Sequence, residues 1–425
     1  MVLQGDAAHL PLPDESVDLL ITSPPYWALR SYADGGEHYQ GQLGSEATPR
    51  EYLDALLACT KEWIRVLKPS GSLFVNLGDK YAQNEERSRN GNGNRRAIDN
   101  FKSGPVLRGP TVSLGRKDNQ GTRTKSLLGL PWRYALGCMD DLGLILRRDI
   151  IWSKPNGLPE SVTDRCRSSH EYLFHLVRQP RYYAAVDEIR EAHTSIGDPR
   201  WRRATTSVNP DRGDGGMAAW RDGKEPNHLG KLPGSVWEIP SQPLTVPASL
   251  GIDHFAAFPM ELPRRVILGW SPPGICTACG EGRRPVVDKQ MTSAQRATQP
   301  RSSLTRYTAA SRGVPRRDEM DVIPRSFEAT ITGYACACTT AYGSDVEMAP
   351  PTRPAVVLDP FGGTGTTALV AAMHGRTGIS VDRSADYCRL ARWRVTDPAE
   401  RAKAMCVPKP PPVPDGIEPL FGLNW

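Results

Sequence analysis

The chain has 425 residues, 39% of them hydrophobic and 24% charged, which is enough to bury the core of one large domain or of two ordinary ones. No apolar run reaches the roughly 20 residues that a membrane-spanning helix needs, and no basic-plus-apolar leader opens the sequence, so a cytoplasmic protein without membrane attachment is expected. A net charge of +6 and a pI near 8.8 favour a polyanionic partner only weakly. The basic residues instead concentrate in 87–96, 116–125, 200–231 and 283–325, candidate phosphate-contacting loops.

Residues 1–80 alternate short apolar runs with helical patterns, as a parallel sheet with crossover helices does. Residues 17–22 (VDLLIT) predict a buried strand. The stripe Tyr52, Leu53, Leu56, Leu57, Trp63, Val66 and Leu67 predicts a helix over 51–67, Lys68-Pro69-Ser70-Gly71 a turn, and 72–77 (SLFVNL) the next strand. Residues 81–124 have almost no apolar periodicity and predict a mobile or partner-ordered loop. A helix over 128–142 and strands over 145–152 and 172–177 follow, after which 188–232 lose periodicity and gain charge and glycine. The last sheet signals are a strand over 355–358, a helix over 366–373 and a strand over 377–381, and the chain from 406 onward is a proline-rich tail.

Between the strand at 355–358 and its helix lies Asp359-Pro360-Phe361-Gly362-Gly363-Thr364-Gly365-Thr366-Thr367. Ligands of open α/β sheets bind beyond the carboxyl ends of the strands, where glycines allow close backbone approach. The loop lacks the Gly-Lys-Ser/Thr ending of a triphosphate-binding loop, so a nucleoside fits better. Asp382 ends the next strand, where a carboxylate can accept from both ribose hydroxyls, and the pair reads as adenosyl recognition. Without that acid, the loop is also compatible with a mere tight turn.

Thr22-Ser23-Pro24-Pro25-Tyr26-Trp27 likewise follows a strand. Two prolines remove two backbone donors and fix an extended path, leaving a ledge of acceptors. The exocyclic amine of a base is a poor nucleophile because its lone pair is delocalised. Acceptors such as Ser23 Oγ and the Pro24 carbonyl can favour its pyramidal form, and Tyr26 offers a face for an extruded base. A rigid Pro-Pro turn with a core aromatic is the bland alternative, made less attractive by the glycine loop in the same chain.

These two motifs and their order resemble the β group of DNA amino-methyltransferases, in which the catalytic motif precedes the cofactor motif. ITSPPYW is similar to the signature of cytosine-N4 enzymes, and LDPFGGTGTT to the family's cofactor loop. The resemblance implies a doubly wound, Rossmann-like α/β methyltransferase fold with a seven-stranded mixed sheet, the two motifs lying on neighbouring strands. It implies S-adenosylmethionine as cofactor, double-stranded DNA as partner, Ser23, Pro24, Pro25 and Tyr26 as the catalytic ledge, and Asp359, Phe361, Gly363, Thr364, Gly365, Thr366, Thr367 and Asp382 as the cofactor site. By the same resemblance Asp6 binds the adenine amine, and Phe258, Pro259 and Glu261, within 254–262, close over the methionine moiety. Arg165 and Ser169-His170-Glu171-Tyr172 match a further family stretch of less definite role. Asp382 stands where the family often has Glu, and Thr364 where it often has Ser.

Of nine cysteines, Cys59, Cys138, Cys166, Cys388 and Cys406 are scattered, whereas Cys276, Cys279, Cys336 and Cys338 form C-x2-C and C-x-C pairs. Four thiolates can close a tetrahedral structural zinc site, with the basic insertion 281–335 held between the pairs; free cysteines are the alternative. A nucleophilic cysteine of the cytosine-C5 type is disfavoured, because no Pro-Cys dipeptide occurs.

The expected organisation is a catalytic half at 1–187, a target-recognition insertion at 188–232, a cofactor-closing segment at 233–275, a zinc-knuckle insertion at 276–345, a cofactor-binding half at 346–405 and the tail at 406–425. The expected reaction is methylation of cytosine N4 in duplex DNA by base flipping. The alternatives are adenine N6 and, more remotely, a non-catalytic zinc-containing nucleic-acid-binding protein. A cognate restriction endonuclease is a possible partner, and the sequence leaves the oligomeric state open.

Overall fold

The computed structural model describes residues 1–28, 33–34, 37–38, 41–82, 125–157, 159–193, 227–252, 258–292, 326–338 and 349–408. The chain divides into two compact units, one comprising Met1–Ile189, Gly234–Arg284 and Cys336–Trp425, the other Arg190–Pro233 and Pro285–Ala335. Most of loop 81–124, most of the insertion 188–232, residues 254–257 and nearly all of the tail lie outside the described residues.

The larger unit is built on one sheet of eight strands: β1 (Val2–Gln4), β2 (Val17–Thr22), β5 (Leu67–Leu77), β6 (Ile145–Ser153), β7 (His170–Val177), β8 (Val236–Glu238), β13 (Val356–Asp359) and β14 (Thr377–Asp382). Their spatial order is β1-β14-β13-β2-β5-β7-β6-β8. All run parallel except β7, which is antiparallel to both neighbours. Small two-stranded pieces are made by β3 (Ala33–Asp34) with β4 (Glu37–His38), and by β9 (Ile275–Cys276) with β12 (Thr352–Arg353).

Helices cover both faces, as a largely parallel sheet requires. On one face lie α1 (Pro49–Val66) and α2 (Leu130–Asp140), which bury Trp63 and Tyr134 against Leu20, Leu73 and Val75. On the other lie α3 (Glu261–Trp270) and α4 (Thr366–Met373), which pack Val266, Ile267 and Leu369 against Leu19, Ile21 and Phe74. Residues 19, 20 and 21 thus alternate between two cores, and β2 is buried along its whole length. Two helices that the apolar periodicity does not announce, α5 (Ala385–Thr396) and α6 (Pro398–Ala404), start at the capping side chains of Ser384 and Asp397. Helix α1 begins with a reciprocal capping box: Glu51 N–H donates to Thr48 Oγ1 at 3.2 Å, and Thr48 N–H to Glu51 Oε2 at 3.1 Å.

Two expectations are corrected. Lys68-Pro69-Ser70-Gly71 is not a separating turn but a bulge within β5, whose pairing with β2 jumps from Val17↔Leu67 to Leu19↔Ser72. Pro69 cannot donate to a ladder, and a side chain at Gly71 would stand 2.9 Å from the Asp18 carbonyl, so the strand bows out here without ending. The sheet also has eight strands, not seven: β8 is a three-residue edge piece, anchored by buried Trp237 and too short to show alternation in sequence.

In the smaller unit, Glu191 and Lys231 form an isolated antiparallel bridge, and Arg190 Nη1 donates to the Gly230 carbonyl at 2.9 Å. Strands β10 (Arg284–Thr292) and β11 (Ser326–Ala335) pair with each other, joined by Thr332 Oγ1 donating to the Val286 carbonyl. Among the described residues no helix is long and apolar enough to cross a membrane.

Candidate active site

Parallel strands side by side present their carboxyl ends together, and β1, β14, β13 and β2 are consecutive neighbours. The segments that leave those ends are Asp6, Asp382, the glycine loop and Ser23–Tyr26. Residues separated by most of the chain are therefore gathered along one rim of the sheet. The two motifs are tied directly: Thr22 Oγ1 donates to Asp359 Oδ1 at 2.7 Å.

Asp359 is buried and braces the loop from within. Its other oxygen accepts from Thr367 Oγ1 at 2.8 Å, and Oδ1 also accepts from the Phe361 amide at 3.1 Å. Burial pushes its carboxyl up to about 6, against the opposing pull of Thr22, Thr367 and the Phe361 amide. Thr364 and Thr366 also face inward. Arg394 Nη1, on α5, donates to both hydroxyls at 2.7 Å and pairs with buried Glu400 at 2.9 Å. Of the loop residues expected to hold a cofactor, Asp359, Thr364, Thr366 and Thr367 thus bond other protein groups through their side chains.

Two glycines explain the loop's close packing and its outward face. A Cβ at Gly362 would fall 1.8 Å from Ser380 Oγ, so the turn lies flush against β14. Gly363 has φ +47, and a Cβ there would have only the Phe361 carbonyl oxygen beside it, at 4.0 Å, so the backbone is open on that side. Its amide donates to Asp382 Oδ2 at 2.9 Å while the Ser384 amide donates to Oδ1 at 2.9 Å, which fixes the carboxylate at the end of β14. The Phe361 ring is held edge-on to Trp63 of α1, with centroids 5.9 Å apart. Asp6 is exposed, with Oδ1 accepting from the Ala8 amide at 2.9 Å, and the Gly5 amide joins the Asp382 carbonyl at 3.0 Å.

The Ser-Pro-Pro-Tyr segment is oriented by residues whose role the sequence did not disclose. Tyr26 Oη donates to Glu171 Oε2 at 2.7 Å, and Asn76 Nδ2 donates to the same oxygen at 2.7 Å and to Tyr26 Oη at 2.9 Å. Lys154 pairs with the other Glu171 oxygen while lying 4.1 Å from the centre of the Trp152 ring. Burial and the Glu171 charge hold the Tyr26 phenol well above its ordinary range, so it acts as a neutral donor. Ser23 Oγ lies 3.4 Å from both Tyr26 Oη and Asn76 Nδ2. Tyr52 Oη donates to the Pro25 carbonyl at 3.0 Å, and Gly78 leaves room for the Tyr26 ring, 2.9 Å from where a Cβ would sit. The available signals were a polar Asn76 closing an otherwise apolar strand beside β2, and Glu171 within the family stretch.

Phe258 packs on the α3–α4 core. Glu261, in the first turn of α3, bonds Arg264 at 2.5 and 2.8 Å and Arg265 at 2.8 Å. Burial raises its carboxyl, but those two guanidinium groups outweigh it and leave it below the usual range. Both oxygens are thereby engaged within the helix. Arg165 pairs with Glu160 and stacks over Tyr81, its guanidinium carbon 4.0 Å from the ring centre. Cys276, Cys279, Cys336 and Cys338 do converge, their four sulfurs all within 4.8 Å of one another.

In sequence the chain is similar to DNA methyltransferases. The family profile described as DNA methylase, covering N6 and N4 methyltransferases, matches residues 17–277 and 352–392. The type II methyltransferase M.Cfr9I of Citrobacter freundii is 34% identical over 275 residues, 64% of this chain and 73% of that protein. The type II methyltransferase M.SmaI of Serratia marcescens is 32% identical over 275 residues, 64% of this chain and 76% of that protein. Among solved structures, the cytosine-N4-specific PvuII DNA methyltransferase superposes with a TM-score of 0.48 at 16% identity, covering 95% of this chain and 89% of that one. The chain belongs to the N6/N4 family of DNA methylases and is a DNA methyltransferase.

Proposed function

We propose that the chain transfers a methyl group from S-adenosylmethionine to N4 of a cytosine flipped out of duplex DNA. The observation that carries this reading is the Thr22–Asp359 hydrogen bond, which keeps an acceptor ledge and a nucleoside-type loop side by side. The residues present fit the cofactor. Gly363 offers open backbone, the Asp382 carboxylate is fixed at the end of β14 where a ribose would lie, and Asp6 is exposed at the adjoining strand end. When bound, the cofactor supplies an electrophilic methyl on its sulfonium, so the protein's task is positioning and polarisation.

Ser23 Oγ and the Pro24 carbonyl accept the N–H groups of the target amine, drawing its lone pair out of the ring. Tyr26, locked by Glu171 and Asn76, presents its ring to the base. Base flipping is required because the amine of a stacked, paired base is out of reach. Serine rather than aspartate before Pro-Pro favours cytosine over adenine. The roles of Phe258 and Pro259 in covering the methionine moiety, and of 188–232 in reading the target sequence, belong to the same reading, as do a cytoplasmic setting and a paired restriction endonuclease. A structural zinc on the four-cysteine cluster accompanies it and takes no part in the transfer.

Incubation with methyl-labelled S-adenosylmethionine and mixed-sequence duplex DNA, followed by nucleoside digestion and mass spectrometry, tests the proposal. N4-methylcytosine is the expected product. N6-methyladenine would move the target while keeping the site, and unlabelled DNA despite cofactor binding would overturn the reading.

A further inference from the structure

The four-cysteine cluster sits at the opposite end of the strands from the chemistry. Cys276 pairs with Thr352 in the β9–β12 ladder, four residues before the amino end of β13, whereas the glycine loop leaves its carboxyl end. Cys276 and Cys279 come from a tight knuckle. The Cys276 amide donates to the Glu281 carbonyl at 2.9 Å, the Gly280 amide to the Cys276 carbonyl at 2.9 Å, and Gly280 takes φ +73 in open space. Cys336 and Cys338 return to the same point after 56 intervening residues, 280–335, and the Ala337 amide meets Glu281 Oε2 at 3.4 Å.

Four sulfurs within 4.8 Å is nearly the spacing of a zinc tetrathiolate, in which Zn–S bonds of about 2.3 Å set the sulfurs roughly 3.8 Å apart. None of the four cysteines is in a disulfide. Thiolates this close repel one another unless a cation lies between them. Four protein ligands leave no open position for water or substrate, which marks a structural rather than a catalytic ion.

The surroundings indicate what the ion would hold. The Thr277 amide and hydroxyl both donate to the Pro351 carbonyl, at 3.0 and 2.9 Å, and Arg283 Nη2 donates to the Pro350 carbonyl at 2.5 Å. The knuckle is thus stitched to residues 350–353, which run directly into β13 and end at Asp359. We propose that Cys276, Cys279, Cys336 and Cys338 bind one zinc ion, which closes the 280–335 excursion at its base and anchors the entry to the cofactor strand. The ion lets a long insertion interrupt the chain immediately before β13 without loosening the strand that carries the glycine loop. The site stands on its own geometry and does not depend on which base is methylated.

The test uses the full chain purified under reducing conditions. Elemental analysis should find one zinc per chain, and cobalt exchanged into the wild-type protein should show thiolate-to-metal charge-transfer absorption with tetrahedral ligand-field bands. Cys336→Ser/Cys338→Ser should lose the metal, melt at lower temperature and become open to proteolysis within 280–335. The cobalt spectrum keeps the proposal falsifiable if that variant fails to fold. Iron in place of zinc, disulfides linking these cysteines, or a metal-free wild type that takes up neither zinc nor cobalt would each overturn it. Zinc bound at unit stoichiometry whose removal changes neither the melting temperature nor the proteolysis would overturn the anchoring role alone.

Discussion

The hydroxyl of Thr22 and the carboxylate of Asp359, 337 residues apart in sequence, meet at 2.7 Å between the last residues of two adjacent parallel strands. One hydrogen bond thereby sets the Ser-Pro-Pro-Tyr segment, which begins at Ser23, against the glycine loop, which begins at Pro360. Thr22→Val keeps the side-chain shape and removes the donor, leaving a buried carboxylate short of one partner. The expected cost is about 1–3 kcal/mol. Thermal melting should register that loss, and turnover and S-adenosylmethionine affinity should fall together, since both loops lose their common reference. A lower melting temperature with unchanged affinity and turnover would make the bond a brace of the fold only.

Asp359 also predicts a pH dependence. Its folded-state carboxyl stands at about 6 against an ordinary value of 3.8, with burial as the main cause. Between those values the folded chain holds a proton that the unfolded chain has released, so the contribution is complete below 3.8 and is lost as pH rises through 6. A shift of that size corresponds to on the order of 3 kcal/mol. Asp359→Asn removes the titration, and its melting temperature should therefore vary less than that of the wild type from pH 4 to 6.5. Parallel curves for the two proteins would remove Asp359 as the source.

Tyr26 and Asp382 should separate chemistry from cofactor binding. Tyr26→Phe keeps the ring but releases Glu171 Oε2 and Asn76 Nδ2, so the expected result is a drop in kcat of about tenfold to a hundredfold with cofactor affinity nearly intact. Glu171→Gln should act in the same direction, because it also weakens the pairing with Lys154. Asp382→Ala should do the reverse, weakening S-adenosylmethionine by roughly tenfold or more through lost charge-assisted bonds. Isothermal titration beside single-turnover kinetics distinguishes the cases, and equal losses of both quantities in all three variants would contradict the assigned roles.

The parts of this site legible in sequence were those set by local chemistry. Apolar runs placed β2, β13 and β14, and Gly-rich or Pro-Pro segments at their ends marked the two loops. What remained hidden depends on which distant side chains the fold brings together. Asn76 reads as a polar residue closing a strand, yet its amide links Tyr26 to Glu171 across β5 and β7. Arg394 donates to the hydroxyls of both Thr364 and Thr366, and nothing in the loop itself announces an arginine 28 residues beyond Thr366. Short pieces such as β8 carry too few residues to declare a period.

That arginine supports a final prediction. Arg394 and Glu400 are each only 3% exposed, and their pair lies directly beneath the Thr364 and Thr366 hydroxyls. Burial lowers the guanidinium's proton affinity and Glu400 raises it again, so each charge depends on the other. Removing one partner leaves a buried charge uncompensated, at a typical cost of about 3–5 kcal/mol, whereas replacing both with apolar groups is often close to neutral. The two single variants should also differ. Arg394→Met leaves Glu400 paired with Lys403, whose side chain is half exposed, while Glu400→Leu leaves Arg394 with only hydroxyl acceptors. Thermal melts should therefore rank Glu400→Leu as the most destabilised, Arg394→Met next, and the double variant nearer to wild type than either. The double variant should still bind S-adenosylmethionine more weakly than wild type, because Thr364 and Thr366 have lost the donor that fixes the loop. Additive single effects in the double variant would show that the pair is not coupled.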